Sequence, residues 1–359
     1  MLSCLVGSEM CIRDRSDEQL MGRARDLARY SATRLALAPL MLWLIASLVF
    51  LLLRVAPGDP VDAVLGSRAP AAAKAAMRAR LGLDQSLLDQ YLSYLNGLIH
   101  GDLGQALINQ EPVRTIIGKT LPASLELSVI ALAVAAVVGL SIGFSGIARP
   151  EGKIDLGGRL YGLGTYALPP FWVAMLVQLV FAVSLGWLPV GGRFPPSLLP
   201  PEGSGFFLLD SALQNNWAAF RGSVRHLILP AGTLALLLSG TFTTALRLNL
   251  RRTLRGDYVE AARSRGLSER QVILRHGLPN ALLPVLTIAG ITVASLIGGA
   301  LLIEVTFSWP GIALRLQEAI NQRDYPVVQG IVVVIAALVV LVSVAVDLLV
   351  AALDPRVRY

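Results

Sequence analysis

The chain has 359 residues, of which 54% are hydrophobic and 15% are charged. A soluble globular domain carries about 25% Asp, Glu, Lys and Arg, so this composition excludes an ordinary soluble protein. The shortage of charge is confined to six runs of 19 to 26 residues that contain no charged side chain. In chain order the runs are 35–53, 127–148, 160–185, 227–246, 281–303 and 326–346.

Each run is long enough to be a transmembrane helix, because about 20 apolar residues span the roughly 30 Å of hydrocarbon in a bilayer. The runs lack the alternation over about 10 residues that marks membrane β-strands. We therefore predict an all-α membrane protein with six transmembrane helices. Prolines within or beside the runs predict either bent helices around a pathway or kinks that serve packing alone. These prolines are Pro39, Pro169, Pro170, Pro230 and Pro284.

Charge asymmetry predicts the orientation, because Lys and Arg collect in cytoplasmic loops. With the N-terminus inside, the four inner segments carry 18 Lys and Arg over 84 residues, whereas the three outer segments carry 12 over 130. We therefore expect both termini in the cytoplasm. The same bias, facing anionic membrane lipid, explains the net charge of +7, and we expect no nucleic-acid binding.

The runs divide the chain into four parts. Residues 1–34 are predicted to be a cytoplasmic N-terminal segment, 35–119 the first transmembrane helix with an external region, 120–351 the main membrane domain, and 352–359 a cytoplasmic tail. Residues 1–20 contain both cysteines, Cys4 and Cys11, and lack the parts of a signal peptide. We expect these twenty residues not to be native and the functional chain to start near Met21.

The chain carries no recognisable catalytic or cofactor chemistry. It has no Gly-x-x-x-x-Gly-Lys-Ser/Thr sequence for ATP phosphates, and none of its three histidines has a partner at metal-ligand spacing. We expect no cofactor, no metal and no enzymatic activity. Glu126, Glu304 and Asp347 lie only at the ends of runs, so the buried charges of an ion-coupled transporter are missing.

The candidate side chains for a solute pathway are Gln178, Thr241, Thr244 and Thr287.

The fourth and fifth runs are joined by a loop with a clear local pattern. Gly256 is expected to end the preceding helix, and Asp257 to cap a new one with Glu260 three residues later. Gly266 is expected to end that helix in the left-handed conformation. Ser268 and Gln271 are predicted to begin a second helix with the same pattern. The first helix should have about eight residues and a length of roughly 12 Å.

A short rigid helix of this kind can dock into a cleft of a partner protein, although a solvated loop is the alternative. We predict an apolar docking face made of Tyr258, Ala261, Ala262 and Leu267. Arg263 and Arg265 would steer this face toward an acidic rim on the partner. Gly266 would fix the angle at which the helix is presented.

The segment Glu260-Ala261-Ala262, with Gly266 after three intervening residues and Leu278-Pro279 further on, resembles the "EAA" signature of ABC importer permeases. His276 departs from that pattern, which has an Ile there. Other segments resemble the dipeptide/oligopeptide-type branch of this family. They are 56–60, 81–84, 101–104, 187–189, 307–311, 323–326 and 353–356.

The resemblance implies a type-1 permease fold over 120–351, in a multi-pass protein of the bacterial inner membrane. It implies that the 257–267 loop is the coupling helix, which contacts a cytoplasmic ATPase. The implied partners are a homologous second permease, two ABC ATPase subunits and an external solute-binding protein. The implied activity is inward transport of peptides or peptide-like solutes by alternating access. Relatives carry dipeptides, oligopeptides, glutathione, nickel chelates or sugars, so the resemblance does not identify the solute of this protein.

Two other functions compete with this interpretation. An ATP-independent transporter or channel needs buried ions or a selectivity ring, and a membrane enzyme needs a catalytic cluster. Co-purification of an ATPase subunit would distinguish the ABC permease from both.

Overall fold

The computed structural model describes residues 32–33, 36–55, 58–147 and 152–353. The expectations for residues 1–20 and for the last six residues of the tail lie outside this part. The regular structure that it shows is helical, apart from one isolated β-bridge between Gln105 and Pro112. The prediction of an all-α protein is therefore confirmed.

Fifteen α-helices can be named in the described residues, and two of them are followed directly by a π-helical turn. They are α1 (Ala36–Val55), α2 (Pro60–Leu65), α3 (Ala71–Arg80), α4 (Leu87–Ile99), α5 (Val113–Ser145), α6 (Lys153–Ala167), α7 (Pro170–Val177, then π-helical Gln178–Ser184), α8 (Phe207–Leu213), α9 (Trp217–Thr253), α10 (Asp257–Ser264), α11 (Glu269–Gln271, then π-helical Val272–Gly277), α12 (Leu278–Gly299), α13 (Leu301–Thr306), α14 (Ile312–Gln322) and α15 (Tyr325–Leu353).

Five helices in the described ranges are long and apolar enough to cross a membrane: α1, α5, α9, the stretch Glu269–Val293 and α15. The third predicted run, 160–185, does not form one straight helix. It is divided between α6 and α7, whose axes are bent by 102°, and this pair gives a sixth span if it is counted as one. The break follows from Pro169 and Pro170, because proline lacks an N–H and disfavours helical backbone in the residue before it.

The centre of the bundle is the pair α5 and α9. Gly139 and Gly143 on α5 let the backbone of α9 approach closely, since a Cβ at Gly143 would lie 3.0 Å from the carbonyl oxygen of Thr243. The Thr243 hydroxyl donates a hydrogen bond to the Gly139 carbonyl at 3.0 Å. Small residues and interhelical hydrogen bonds of this kind are the usual cohesion between helices in lipid.

The segment between α1 and α5 forms three short helices. Ser86 caps α4 by accepting a hydrogen bond from the Asp89 N–H at 3.2 Å. α4 rests on α1 through a 2.6 Å hydrogen bond between the Tyr91 and Ser47 hydroxyls and a ring contact between Phe50 and Tyr94.

Candidate coupling site and solute pathway

α10 follows the end of α9 after a turn of three residues. Its N-cap is Gly256, and no side chain makes a capping hydrogen bond there. The prediction that Asp257 caps the helix is therefore wrong. Asp257 is the first helical residue, and its negative charge there interacts favourably with the positive end of the helix dipole.

One side of α10 is fixed to the rest of the chain by a small apolar cluster. Val259 and Ala262, which are 0% and 6% exposed, pack with Val272 of the following π-helical turn. Leu254 and Leu267 border this cluster. Ala262 and Leu267 were predicted to belong to the outward docking face, but the structure turns Ala262 inward and packs Leu267 beside it. The two residues attach the helix to its own chain.

The other side of α10 is free. Tyr258, Glu260, Ala261 and Arg263 are exposed, as is Asp257. Gly266 follows with a φ of +78°, which is the left-handed conformation predicted for it. No atom lies within 4 Å of the position that a Cβ would take there, so the backbone conformation rather than crowding favours glycine.

α11 begins with the predicted capping box. The Ser268 hydroxyl accepts a hydrogen bond from the Gln271 N–H at 3.4 Å, and the Gln271 side chain accepts one from the Ser268 N–H at 3.1 Å. An ion pair joins α10 to α11, because the Arg263 guanidinium donates to both Glu269 oxygens at 2.7 and 3.1 Å.

A buried ionic cluster joins the C-terminal end of α9 to α6, and the sequence analysis did not predict it. Asp155 near the start of α6 is 1% exposed and accepts hydrogen bonds from Arg159, Arg247 and Arg251. The Arg251 contact is 2.6 Å long and the nearest Arg159 contact 2.7 Å. Because Asp155 and Arg247 lie on different helices far apart in sequence, local spacing carries no signal for their pairing.

At the opposite end of the bundle, two carboxylates predicted to lie at run ends are buried. Glu126 pairs with Arg193 at 2.7 Å. Glu304 is 0% exposed and accepts hydrogen bonds from the Ser124 hydroxyl at 2.5 Å and from the Leu314 N–H at 2.9 Å. These contacts join α5 to the segment before α8, through Arg193, and to α13 and α14.

The four side chains suggested for a solute pathway do not form one site. The Gln178 amide donates to the carbonyls of Val190 at 2.6 Å and Thr306 at 3.2 Å, so it fastens the π-helical turn to its neighbours. Thr241 and Thr244 are exposed one turn apart on α9. Thr287 lines a separate cavity of about 480 Å³ between α12 and α15.

These features define a helical membrane protein with an exposed, rigidly attached helix at one end of its bundle. No group of His, Cys, Asp and Glu in the described ranges could hold a metal ion. The chain belongs to the family of binding-protein-dependent transport system inner membrane components, whose model matches residues 135–359. A model of the N-terminal region of the same membrane components matches residues 27–128.

Individual relatives match nearly the whole chain. A di/tripeptide transport system permease of Pseudomonas aeruginosa is 40% identical over 335 residues, which are 92% of this chain and 98% of the relative. A dipeptide transport system permease of Alkalihalophilus pseudofirmus is 35% identical over 92% of this chain and 99% of its own. The dipeptide transport system permease of Escherichia coli K12 is 36% identical over 88% of this chain and 94% of its own.

The chain is therefore a permease subunit of an ATP-driven ABC importer in the bacterial inner membrane. It is not itself an enzyme, because ATP hydrolysis belongs to separate subunits of such importers. The family implies that ATPase and solute-binding proteins are its partners.

Proposed function

We propose that this permease moves short peptides into the cytoplasm. The observation that carries the proposal is the identity of 35 to 40%, over about nine-tenths of the chain, to permeases named for dipeptide or di/tripeptide transport. The matches cover 88 to 92% of this chain and 94 to 99% of the relatives, so the similarity is not confined to one segment.

We further propose that the working importer contains a homologous second permease, two ATPase subunits and an external solute-binding protein. In this arrangement the permease domain is 120–351, and the end of the bundle that carries α10 faces the cytoplasm. α10 then acts as the coupling helix, with Tyr258, Ala261 and the charged residues of its free side in contact with an ATPase.

Three attachments support a mechanical role for α10. The cluster around Val259 fixes its inner side, and the Arg263–Glu269 ion pair ties it to α11. Asp155 ties the end of α9 to α6. A displacement of α10 is therefore passed to α9, and through the close α5–α9 contact to the centre of the bundle.

The mechanism that follows is alternating access. ATP binding would close the ATPase dimer, draw the two coupling helices together and shift the permeases from the inward-open to the outward-open state. Such a shift requires the ATP-bound partner to bind one state more tightly than the other. The permease contributes the bistable bundle and the contact surface.

The test is uptake of a labelled dipeptide into vesicles that contain the assembled importer, with ATP enclosed and the binding protein outside. We expect uptake that stops when ATP, the ATPases or the binding protein is omitted. Uptake by this chain alone would contradict the ABC mechanism. The solute class would be contradicted if the binding protein stimulated ATP hydrolysis only when it carried a solute that is not a peptide.

A matched pair of variants tests the coupling surface in the same assay. Ala261→Glu places a bulky charge on the free side of α10, and we expect loss of dipeptide-stimulated ATP hydrolysis and of uptake. Ala72→Glu places the same charge on an exposed alanine of α3, and we expect normal uptake. Equal behaviour of the two variants would contradict the assignment of α10.

A further inference from the structure

A cavity of about 730 Å³ lies at the start of α9, at the end of the bundle away from α10. Its second wall is the segment 186–198, which follows the π-helical turn after α7. Arg221, Arg225 and His226 line this Arg221–Arg225 cavity together with apolar side chains such as Leu188, and none of the described residues that line it is Asp or Glu. The lining therefore carries a positive charge that no lining residue balances.

Main-chain carbonyls, rather than carboxylates, hold the two arginines of the cavity. The Arg221 Nε–H donates to the Trp217 carbonyl at 3.2 Å, and the Arg225 guanidinium donates to the Trp187 carbonyl at 3.0 Å. Within the described ranges, neither arginine forms an ion pair with an acidic residue. Both side chains are exposed. Because each guanidinium group has further N–H donors, the pair can still bind an anion from outside the chain.

The position of the cavity along α9 also favours an anion at the edge of the membrane. α9 begins at Trp217, one turn before Arg221, and the first turn of a helix carries the positive end of its dipole. Arg225 lies two residues before the uncharged run 227–246. The two guanidinium groups are therefore at the boundary of the hydrocarbon layer, where the polar headgroups of lipids begin.

The side chains beside the two arginines are typical of a surface in contact with lipid headgroups. Trp187 and Trp217 are 60% and 58% exposed, and tryptophan is enriched at the level of the headgroups. Arg221, Arg225 and Ile228 follow one another at spacings of four and three residues, so they share one face of α9. Ile228 is exposed inside the uncharged run. This face therefore changes from cationic to apolar toward the centre of the bilayer, in the same order as the phosphate and acyl chains of a phospholipid.

We propose that the Arg221–Arg225 cavity binds the phosphate group of an anionic phospholipid, whose acyl chains lie along the face that includes Ile228. Guanidinium groups suit this ligand because their paired N–H groups match two phosphate oxygens. An acidic soluble protein is a poorer partner, since the cavity lies at the level of the headgroups rather than beyond them. The inference does not depend on which solute the importer carries.

Lipid binding to the purified, assembled importer in detergent tests the proposal. Dioleoyl phosphatidylglycerol, which is anionic, and dioleoyl phosphatidylcholine, which is zwitterionic, are titrated separately, and bound lipids are counted by native mass spectrometry. Wild type should bind one phosphatidylglycerol that the Arg221→Gln/Arg225→Gln variant binds at least about tenfold more weakly, because two arginines near an anionic headgroup are lost. The control is Arg68→Gln/Arg80→Gln, which removes two exposed arginines near the ends of α3 and should bind like wild type.

A second variant tests the cavity without removing the hydrogen bonds of its arginines. Ala218 is exposed and lines the cavity, so the carboxylate of Ala218→Glu should repel the phosphate and weaken the same binding event. Ala72→Glu, on α3, is the matched control. Basal ATP hydrolysis of each assembly is measured in parallel to show that the variants are folded.

Three results would overturn the proposal. Equal binding of phosphatidylglycerol by wild type, Arg221→Gln/Arg225→Gln and Ala218→Glu would mean that the arginines are only solvated. Displacement of the bound phosphatidylglycerol by inorganic phosphate, or equal affinity for phosphatidylcholine, would mean that the cavity does not select an anionic lipid. Unchanged lipid binding, with a raised apparent KM for the loaded binding protein in the Gln variant, would assign the cavity to that protein instead.

Discussion

Gly266 forms the left-handed turn that follows α10, the helix proposed to couple the permease to its ATPase. Its φ of +78° directs the chain away from α10 toward the capping box at Ser268. The open space around it means that a larger side chain would not clash with a neighbour. Any effect of substitution must therefore come from the backbone, which makes the position a clean probe of coupling.

We expect Gly266→Val to insert normally and to lose most ATP-driven uptake. A β-branched residue strongly disfavours positive φ, at a cost of about 1–3 kcal/mol for a strained conformation, so the end of α10 should rearrange. Gly266→Asn is the control, because Asn tolerates the left-handed region. Membrane level, ATPase activity and dipeptide uptake are measured for both. Full uptake by Gly266→Val would contradict a coupling role for this turn.

Asp155 holds the C-terminal end of α9 against α6 through its ion pairs with Arg247 and Arg251. It is the shared acceptor for three arginines, of which Arg247 is buried. We expect Asp155→Asn to destabilise the folded protein by about 3–5 kcal/mol, because removing one partner leaves a buried charge without compensation. Thermal unfolding of the purified protein in detergent measures this.

The control for Asp155→Asn is Asp84→Asn, at an exposed acidic residue before α4. The same chemical change there should leave the unfolding temperature nearly unchanged. If both variants unfolded at the wild-type temperature, the ionic cluster would have no structural role.

At the scale of elements, α10 is the part of the site that local sequence predicts best. Its length, its end at Gly266 and the capping box of α11 all follow from neighbouring residues. Its orientation does not. Ala261 and Ala262 are adjacent and chemically identical, and Ala262 faces inward because it packs in one cluster with Val259 of the same helix and Val272 of the following turn.

The α6–α7 pair shows a second limit of the same kind. The run 160–185 has the composition of one continuous span, and hydropathy does not register bending. Pro169 and Pro170 indicate a kink, but its size of 102° depends on how the helix after the break packs. Gln178 is one of the residues that hold the helix after the break in place. Its side-chain amide donates hydrogen bonds to the carbonyls of Val190, in the loop before α8, and of Thr306 at the end of α13.

The capping box gives a prediction for the α10–α11 element. We expect Ser268→Ala to weaken the start of α11 by about 1 kcal/mol, since the N-cap hydroxyl is lost. Amide hydrogen exchange in 268–272 should become several-fold faster, while that of α5 stays unchanged. Ser264→Ala is the control, because the Ser264 hydroxyl bonds only to the Glu260 carbonyl of its own helix. Unchanged exchange in Ser268→Ala would show that packing alone holds this turn.

For the whole molecule, the composition predicted the membrane class and the uncharged helices, but it did not predict what joins them. Glu126 and Glu304 were expected to be simple boundary residues, and both are buried acceptors between elements. Glu304 and Ser124 together satisfy the N-terminal N–H groups of α14: Glu304 accepts from Leu314, and the Ser124 hydroxyl accepts from Ile312 at 2.8 Å. Ser124 is 180 residues from Glu304 and 188 residues from Ile312, so no local pattern predicts these contacts.

Burial of Glu304 predicts a pH dependence of stability for the whole protein. Desolvation raises the pKa of this carboxyl above its ordinary value, and the hydrogen bonds from Ser124 and Leu314 only partly offset the rise. The folded state therefore holds the proton more tightly than the unfolded state does. The corresponding stabilisation is complete below the ordinary pKa and is lost as the pH rises through the elevated one.

We expect the unfolding temperature of the wild-type protein to fall more steeply than that of Glu304→Gln as the pH is raised above about 4.5, because glutamine keeps an acceptor and does not titrate. Glu318→Gln, at an exposed position of α14, should keep the wild-type slope. Because wild type and Glu304→Gln differ only at position 304, the difference between their slopes isolates this carboxyl, and Glu318→Gln shows the effect of removing an exposed one. Parallel curves for wild type and Glu304→Gln would mean that this carboxyl has the same proton affinity in the folded and unfolded chain.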